Sequence, residues 1–337
     1  MKILVTGGLG YIGSHTVVEL QNSGFEVIIV DNLSNSRISV LDRITEITNI
    51  KPEYYNFDLA DKTSCSSFFK KNTDIIGIIH FAAYKAVGES VQHPLKYYRN
   101  NLESLMNIMD NMNTYNIPNL VFSSSCTVYG QPDILPVTEQ APRKKAESPY
   151  GNTKKMAEDI IEDTIYTSQL KGIALRYFNP VGAHETALIG ELPLGVPNNL
   201  MPFITQTAKG IREQLSVFGD DYDTPDGTAI RDYIHVVDLA KAHVIAVSRL
   251  LENNNKLDFE IFNLGTGNGY SVLDVIKSFE KVTNINLNYK IVGRREGDIE
   301  KVWANTDFAN NELGWKAKKN IDEMTASAWK FQQTLTN

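Results

Sequence analysis

Short apolar runs rich in β-branched residues, KILVTG, EVIIVD, IIGIIHFAA, NLVFSSS and GIALRYFN, mark the first half of the chain, and the stretches between them carry helical spacing. Consecutive apolar positions belong to strands buried on both faces, the pattern of a parallel sheet between two helix layers. The first half therefore predicts a doubly wound α/β unit of the Rossmann kind. After Asn179 the texture changes. Pro180, Pro193, Pro197, Pro202, Gly219, Pro225 and Gly227 punctuate the chain, as in a loop-rich cap over the carboxyl edge of such a sheet. Residues 234–250, IHVVDLAKAHVIAVSRL, are again helix-patterned and run into the strand-like FEIFNLG. The chain is thus expected to return to its first unit: 1–178 plus about 232–264 form one domain, and 179–231 with about 265–337 a smaller, mixed α/β domain.

The first run leads straight into Gly7-x-x-Gly10-x-x-Gly13. Gly7 permits a tight turn, Gly10 removes a Cβ that would hold the backbone away from a phosphate, and Gly13 lets the following helix pack closely. The free N–H groups and positive dipole end of that helix then face an anion, the arrangement that binds a dinucleotide pyrophosphate. The second run ends on Asp31, 24 residues after Gly7, where a carboxylate can accept from the adenosine ribose hydroxyls. With nothing basic at position 32, this favours NAD over NADP. Asp31 as a plain strand-ending turn former remains the alternative.

The segment SPYGNTKKMAED places Tyr150 and Lys154 one helical turn apart behind Pro149, so both side chains share a face. A tyrosine, with an ordinary pKa of about 10, is a poor base. A neighbouring ammonium and the positive nicotinamide of NAD⁺ favour the phenolate, which can then take a proton from a substrate hydroxyl as hydride leaves the same carbon. Ser123, Ser124 and Ser125 end a strand at the carboxyl edge. They are either an ordinary polar loop or, at Ser125 with Thr127 beside it, a hydroxyl holding the reacting oxygen. His80 reads as a buried structural histidine.

Composition narrows the rest. The 337 residues are 42% hydrophobic and 22% charged, with a net charge of -7 that argues against nucleic-acid or anionic-membrane partners. Cys65 and Cys126 are too few for a disulfide framework or a zinc site, so no metal is expected and a reducing cytoplasm fits. The first strand begins near Met1, leaving no room for a signal peptide, and no apolar run approaches a membrane span.

Taken in order, TGGLGYIGSH, HFAAYKAVGESV, SSSCTVYG, SPYGNTK, LRYFNPVGAH, GVPNNLMPF, FGDDY, DGTAIRDYIHVVDLA, NLGTG and RREGD cover nearly the whole chain. In them the chain resembles the UDP-glucose (UDP-galactose) 4-epimerase family of extended short-chain dehydrogenases/reductases. The glycine turn and Tyr-x3-Lys mark the superfamily; NNLMP and RREGD point to the epimerases. The resemblance implies tightly held NAD recycled at each turnover. Tyr150 is then the base, with Ser125 and Lys154 beside it, for a 4-keto intermediate that turns over and takes hydride back on its other face. It implies cofactor contacts at Tyr11, Ile12, Asp31, Asn32, Asn35, Ser36, Asp58, Leu59, Phe81, Ala82, Ala83, Lys85, Asn100, Tyr150, Lys154 and Phe178. UDP-sugar contacts are implied at Asn179, Asn199, Leu200, Ser216, Val217, Phe218, Arg231, Arg295 and Asp298. Arg231 and Arg295 are also the guanidinium forks a diphosphate wants, although Arg231 beside Asp232 equally suits a surface ion pair.

Val302 stands where the family gates its sugar pocket, with Tyr in members restricted to UDP-hexoses and smaller residues in those that also take UDP-GlcNAc and UDP-GalNAc. Some activity on N-acetylated substrates is therefore expected. Two rivals remain. A nucleotide-sugar 4,6-dehydratase needs an Asp-Glu pair after the Thr of the serine-strand motif, where this chain has Val128 and Tyr129. A non-catalytic NAD sensor has no need of Tyr150, Lys154 and a UDP-binding cap. The family also implies a homodimer, its contact formed by helices at roughly 90–115 and 150–170.

Overall fold

The computed structural model describes residues 1–295 and 298–335, so Glu296 and Gly297 of the RREGD motif and the last two residues of the expected second domain lie outside it. All the apolar runs named above become strands. In chain order the first half holds β1 (Lys2–Thr6), α1 (Tyr11–Asn22), β2 (Glu26–Val30), α2 (Ser39–Thr48), β3 (Glu53–Tyr55), α3 (Lys62–Lys71), β4 (Ile75–His80), α4 (Val87–Gln92), α5 (Pro94–Tyr115), β5 (Asn119–Ser125), α6 (Pro149–Tyr166) and β6 (Lys171–Tyr177). The second half holds β7 (Asn179–Val181), α7 (Leu200–Ala208), β8 (Leu215–Phe218), β9 (Ile230–His235), α8 (Val236–Leu251), β10 (Phe259–Leu264), β11 (Gly269–Ser271), α9 (Val272–Thr283), β12 (Tyr289–Val292), β13 (Lys301–Val302) and α10 (Ile321–Thr334).

A parallel sheet runs in the order β10-β6-β5-β4-β1-β2-β3. Strand periodicity assigns each side chain to one helix layer. Ile3, Val5, Ile79, Val121 and Leu175 pack with α1, α2 and α8, whereas Leu4, Ile78, Leu120, Phe122 and Ala174 pack with α3, α5 and α6. The order reverses between β1 and β4. At that switch point the connections diverge and leave a crevice over the carboxyl ends.

β3 was not among the predicted strands. It has three residues, EYY, and becomes a strand because Ile28, Ile29 and Val30 of β2 offer it an open edge. A second, smaller sheet pairs β9 with β7 and β13 in parallel and with β11 antiparallel, while β8 and β12 form a parallel ribbon. Their core gathers Val181, Met201, Ile204, Val217, Tyr233, Ile276, Phe279 and Met324.

Candidate active site

A cleft of about 930 Å³ opens over the switch point. Its floor is the turn after β1. Gly7 there has φ +66°, which favours glycine, and a Cβ on it would stand 2.9 Å from the Ala82 amide nitrogen. Gly10 caps α1 without a side-chain bond and no acid occupies the first helical turn, so the helix presents free N–H groups to the cleft. Asp31 is buried and also lines it. Its carboxylate accepts from Leu9 N at 3.0 Å, Leu33 N at 2.9 Å and the Ser36 hydroxyl at 2.8 Å. It therefore orders the turn at the end of β2, and turn former and ligand acceptor are roles it can fill together.

Of the residues predicted for the cofactor, Gly7, Gly10, Tyr11, Ile12, Gly13, Asp31, Asn32, Asn35, Ser36, Asp58, Leu59, Phe81, Ala82, Ala83, Lys85, Asn100, Tyr150, Lys154 and Phe178 all line this one cleft. They come from the loops and helices that follow β1, β2, β3, β4, β5 and β6, and a dinucleotide fits such a cradle: glycines where a Cβ would intrude, a helix N-terminus for the pyrophosphate, a carboxylate at the end of β2.

Ser148 caps α6, accepting from Gly151 N at 3.1 Å, and Pro149 occupies its first turn. This sets Tyr150 and Lys154 on the cleft side, both buried, with Ser125 at the end of β5 facing the same space. Lys154 Nζ donates to the Ser123 carbonyl at 2.6 Å and lies 4.8 Å from the centre of the Phe122 ring. Burial pushes its pKa down to about 8, against the pull of Glu158. Lys154 by itself does not lower the pKa of the Tyr150 phenol. Burial holds it well above the ordinary value, the neighbouring Tyr177 and Cys126 add to this, and the nearby Ser125 hydroxyl opposes it. Lys154 spends its bond on Ser123, and the desolvation of a phenolate outweighs the rest. A cation brought beside the ring acts in the opposite sense.

Asn179 and Asn199 reach the cleft, but among the described residues Leu200, Ser216, Val217, Phe218, Arg231, Arg295, Asp298 and Val302 do not line it. Arg231 and Val302 are on the smaller sheet, Leu200 on α7, Ser216, Val217 and Phe218 on β8, and Arg295 and Asp298 in the segment between β12 and β13. Arg231 of β9 stands in register with Val302 of β13, and its guanidinium is 3.8 Å from Asp298. Arg295 forks onto Asp298 at 2.6 and 3.1 Å and lies 5.7 Å from the Phe218 ring. The surface pair of Arg231 with Asp232 does not form: Asp232 is fully buried and accepts from Thr266, Gly267 and Ala304 instead. Phe178 joins the two groups, since it lines the cleft and packs in one cluster with Val302, Val128 and Tyr129.

His80 is the structural histidine expected, buried and bonded through Nδ1 to Thr6 at 2.8 Å. Sequence reading passed over Tyr177 and Glu191. Tyr177 lies in the cleft with its hydroxyl 2.5 Å from Ser123, and its position as the last residue of a strand was the available signal. Glu191 meets Lys85 at 3.5 Å and also accepts from Asn199, a bridge between distant loops that no local pattern announces.

A family model described as GDP-mannose 4,6 dehydratase matches residues 4–328. The chain is 51% identical to a UDP-glucose 4-epimerase of Bacillus subtilis, over 100% of this chain and 98% of that protein. Among solved structures it superposes with a TM-score of 0.95 on UDP-glucose-4-epimerase from Stenotrophomonas maltophila with bound NAD and formylated UDP-arabinopyranose, 46% identical over 99% of this chain and 98% of that one. The TM-score is 0.94, again with 46% identity and the same coverage, for UDP-glucose 4-epimerase from Bifidobacterium longum in complex with NAD⁺ and UDP.

Proposed function

On the footing that this chain belongs to the UDP-glucose 4-epimerases, within the extended short-chain dehydrogenase/reductase family, we propose that it interconverts UDP-galactose and UDP-glucose through a transient 4-keto sugar, with tightly held NAD and Tyr150 as the base. One observation carries this reading: Tyr150 and Lys154 stand one helical turn apart, buried, on the same cleft as the glycine turn, Asp31 and Ser125.

Tyr150 takes the proton of the sugar 4-hydroxyl while Ser125 holds that oxygen by a hydrogen bond, and the Lys154 ammonium favours the phenolate. NAD, when bound, accepts the C4 hydride and returns it to the opposite face of the ring. Arg231 and Arg295 hold the diphosphate about which the sugar turns, their guanidiniums exchanging Asp298 for phosphate oxygens. Burial of the site excludes water from the ketone. Elimination to a 4-keto-6-deoxy sugar lacks its acid, because Val128 and Tyr129 follow Thr127 and both are buried in an apolar cluster.

Val302, buried against Phe178, is read as the residue that leaves room for an N-acetyl group, which extends the substrates to UDP-GlcNAc and UDP-GalNAc. A homodimer through α5 and α6 accounts for the exposure of Val91, Leu95, Met106 and Met156 on and beside those helices. Among the described residues no helix is long and apolar enough to cross a membrane.

The test is incubation of the purified protein, without added NAD, with UDP-galactose and then UDP-GalNAc, products being read from the anomeric protons by NMR. UDP-glucose is the expected product, accompanied by UDP-GlcNAc. No conversion even with NAD supplied overturns the epimerase reading, and a 4-keto-6-deoxy product moves the protein to the dehydratases.

A further inference from the structure

Next to the cleft, but not lining it, lies a buried ion pair that the reaction as described does not use. Glu158, one helical turn beyond Lys154 on α6, is 1% exposed, and Arg176 on β6 is 2% exposed. Arg176 forks onto it, Nε donating to Oε1 at 2.9 Å and Nη2 to Oε2 at 2.6 Å. Oε1 also accepts the Ser124 hydroxyl at 2.6 Å, and Oε2 accepts from Arg143 at 3.4 Å. From Arg176 the network continues, Nη1 donating to the Tyr129 hydroxyl at 2.9 Å and Tyr129 donating to Asn263 at 2.6 Å. Ser124 immediately precedes Ser125, and Tyr129 closes the single 3₁₀ turn, Cys126–Tyr129, that Ser125 caps. The Glu158 carboxylate thus holds one end of this turn directly, through Ser124, and the other through Arg176, and does so from the helix that carries Tyr150 and Lys154.

A buried ion pair is poor support for stability, because apolar replacements of similar volume often serve as well. Its connections point to geometry instead. We propose that Glu158 is a positioning residue for the epimerisation: with Arg176 and Ser124 it sets Ser125 against Tyr150, and its negative charge keeps Lys154 as the ammonium. This rests on the assignment of Tyr150 and Lys154 made above. The titratable and charged groups about Lys154 include Tyr150 and Glu158 on its own helix, His80 on β4, and on β6 Arg176, paired with Glu158, and Tyr177, bonded to Ser123. His80, pushed down to about 3 by burial, is neutral, and so is the Tyr177 phenol, pushed up to about 12. Glu158 is the group that opposes the effect of burial on Lys154.

The test compares Glu158→Gln, Ser124→Ala and the paired Glu158→Leu with Arg176→Met against the wild-type holoenzyme, with circular dichroism and thermal unfolding to check the fold. Glu158→Gln and the paired variant are expected to lower kcat for UDP-galactose about 100-fold while KM changes less than about threefold, the signature of misplaced catalytic groups. Glu158→Gln moves the alkaline limb of kcat to lower pH, because Lys154 loses its counter-charge, and the paired variant moves it less, because the opposing Arg176 cation goes as well. NMR of carbon-labelled lysine reads the same change without turnover, as a fall of about one pH unit in the Lys154 midpoint. Ser124→Ala lowers kcat about tenfold and leaves the limb and the midpoint in place, since the charge remains.

Folded Glu158 variants with wild-type kcat, limb and lysine midpoint overturn the proposal, and so does a loss of thermal stability with those readouts unmoved. Should Glu158→Gln fail to fold, the paired variant decides, as it removes both buried charges together; should that fail too, wild-type kcat in Ser124→Ala overturns it. Tyr150→Phe is measured alongside. If it keeps full activity the assignment of the base falls, whereas an inactive Tyr150→Phe beside wild-type Glu158 variants sinks only the role of Glu158.

Discussion

Replacing Gly13 by alanine tests the link between chain packing and cofactor retention. An ideal Cβ at position 13 stands 2.2 Å from the Gly7 carbonyl oxygen, 2.9 Å from Gly8 Cα and 3.0 Å from the Gly7 carbonyl carbon. These are backbone atoms, with no side-chain rotation to relieve the contact. Ordinary contact begins near 3.4 Å, so the turn between β1 and α1 must open by roughly 1 Å. Overpacking of this kind costs about 1–3 kcal/mol. At about 2 °C per kcal/mol for a chain of this size, the unfolding midpoint falls by roughly 2–6 °C. The cofactor suffers more, because the displaced turn carries the amides that face the pyrophosphate; a loss of about 1.4 kcal/mol weakens binding tenfold. The assay is thermal unfolding together with the NAD released from purified, denatured protein. Gly88→Ala is the control. In α4 an added Cβ there meets nothing within 4 Å, so stability stays or rises, by up to about 1 kcal/mol of helix propensity, the midpoint does not fall, and the NAD content is unchanged. A Gly13→Ala protein with the wild-type midpoint and full NAD content refutes the packing argument.

Tyr150→Phe is expected to fold normally and to lose about 10²- to 10⁴-fold in kcat, measured with UDP-galactose, as removal of a general base does. Val302→Tyr should abolish turnover of UDP-GalNAc and spare that of UDP-galactose; equal losses on both substrates count against a gating role. Stability should also fall in mild acid. His15 and His80 are held down to about 3, and His235 and His243 to about 4, all chiefly by burial, from an ordinary 6.5. Folded chains therefore keep these rings neutral where unfolded chains protonate them. Their contribution is fully present above pH 6.5 and is lost as pH falls from there to about 4 for His235 and His243 and to about 3 for His15 and His80, each ring costing up to about 1.4 kcal/mol per pH unit. Urea unfolding at pH 7 and pH 5 measures this, and equal stabilities would contradict it.

The large sheet could be read from sequence because its strands are buried on both faces, so each apolar run announces itself whatever its neighbours are. The glycine turn was legible for a similar reason: φ +66° at Gly7 and the contact a Cβ would make at Gly13 restrict the residue type at the position itself. Tyr150 and Lys154 needed only one helical turn behind a Ser148 cap and Pro149. β3 was not legible, since its three residues are a strand only because β2 leaves an edge for them. Nor was the hydrogen-bond partner of Lys154: the ammonium bonds to the Ser123 carbonyl on another strand, and burial sets the balance for it and for Tyr150. Glu158 meeting Arg176 and Ser124, Glu191 meeting Lys85 and Asn199, and Arg231 turning from Asp232 to Asp298 are likewise products of the folded chain. Backbone conformation and burial act through near neighbours and leave a periodic record in the sequence. The pairing of polar groups between elements depends on where distant segments are carried, and on how much water they exclude on arrival, so the tertiary structure alone decided it.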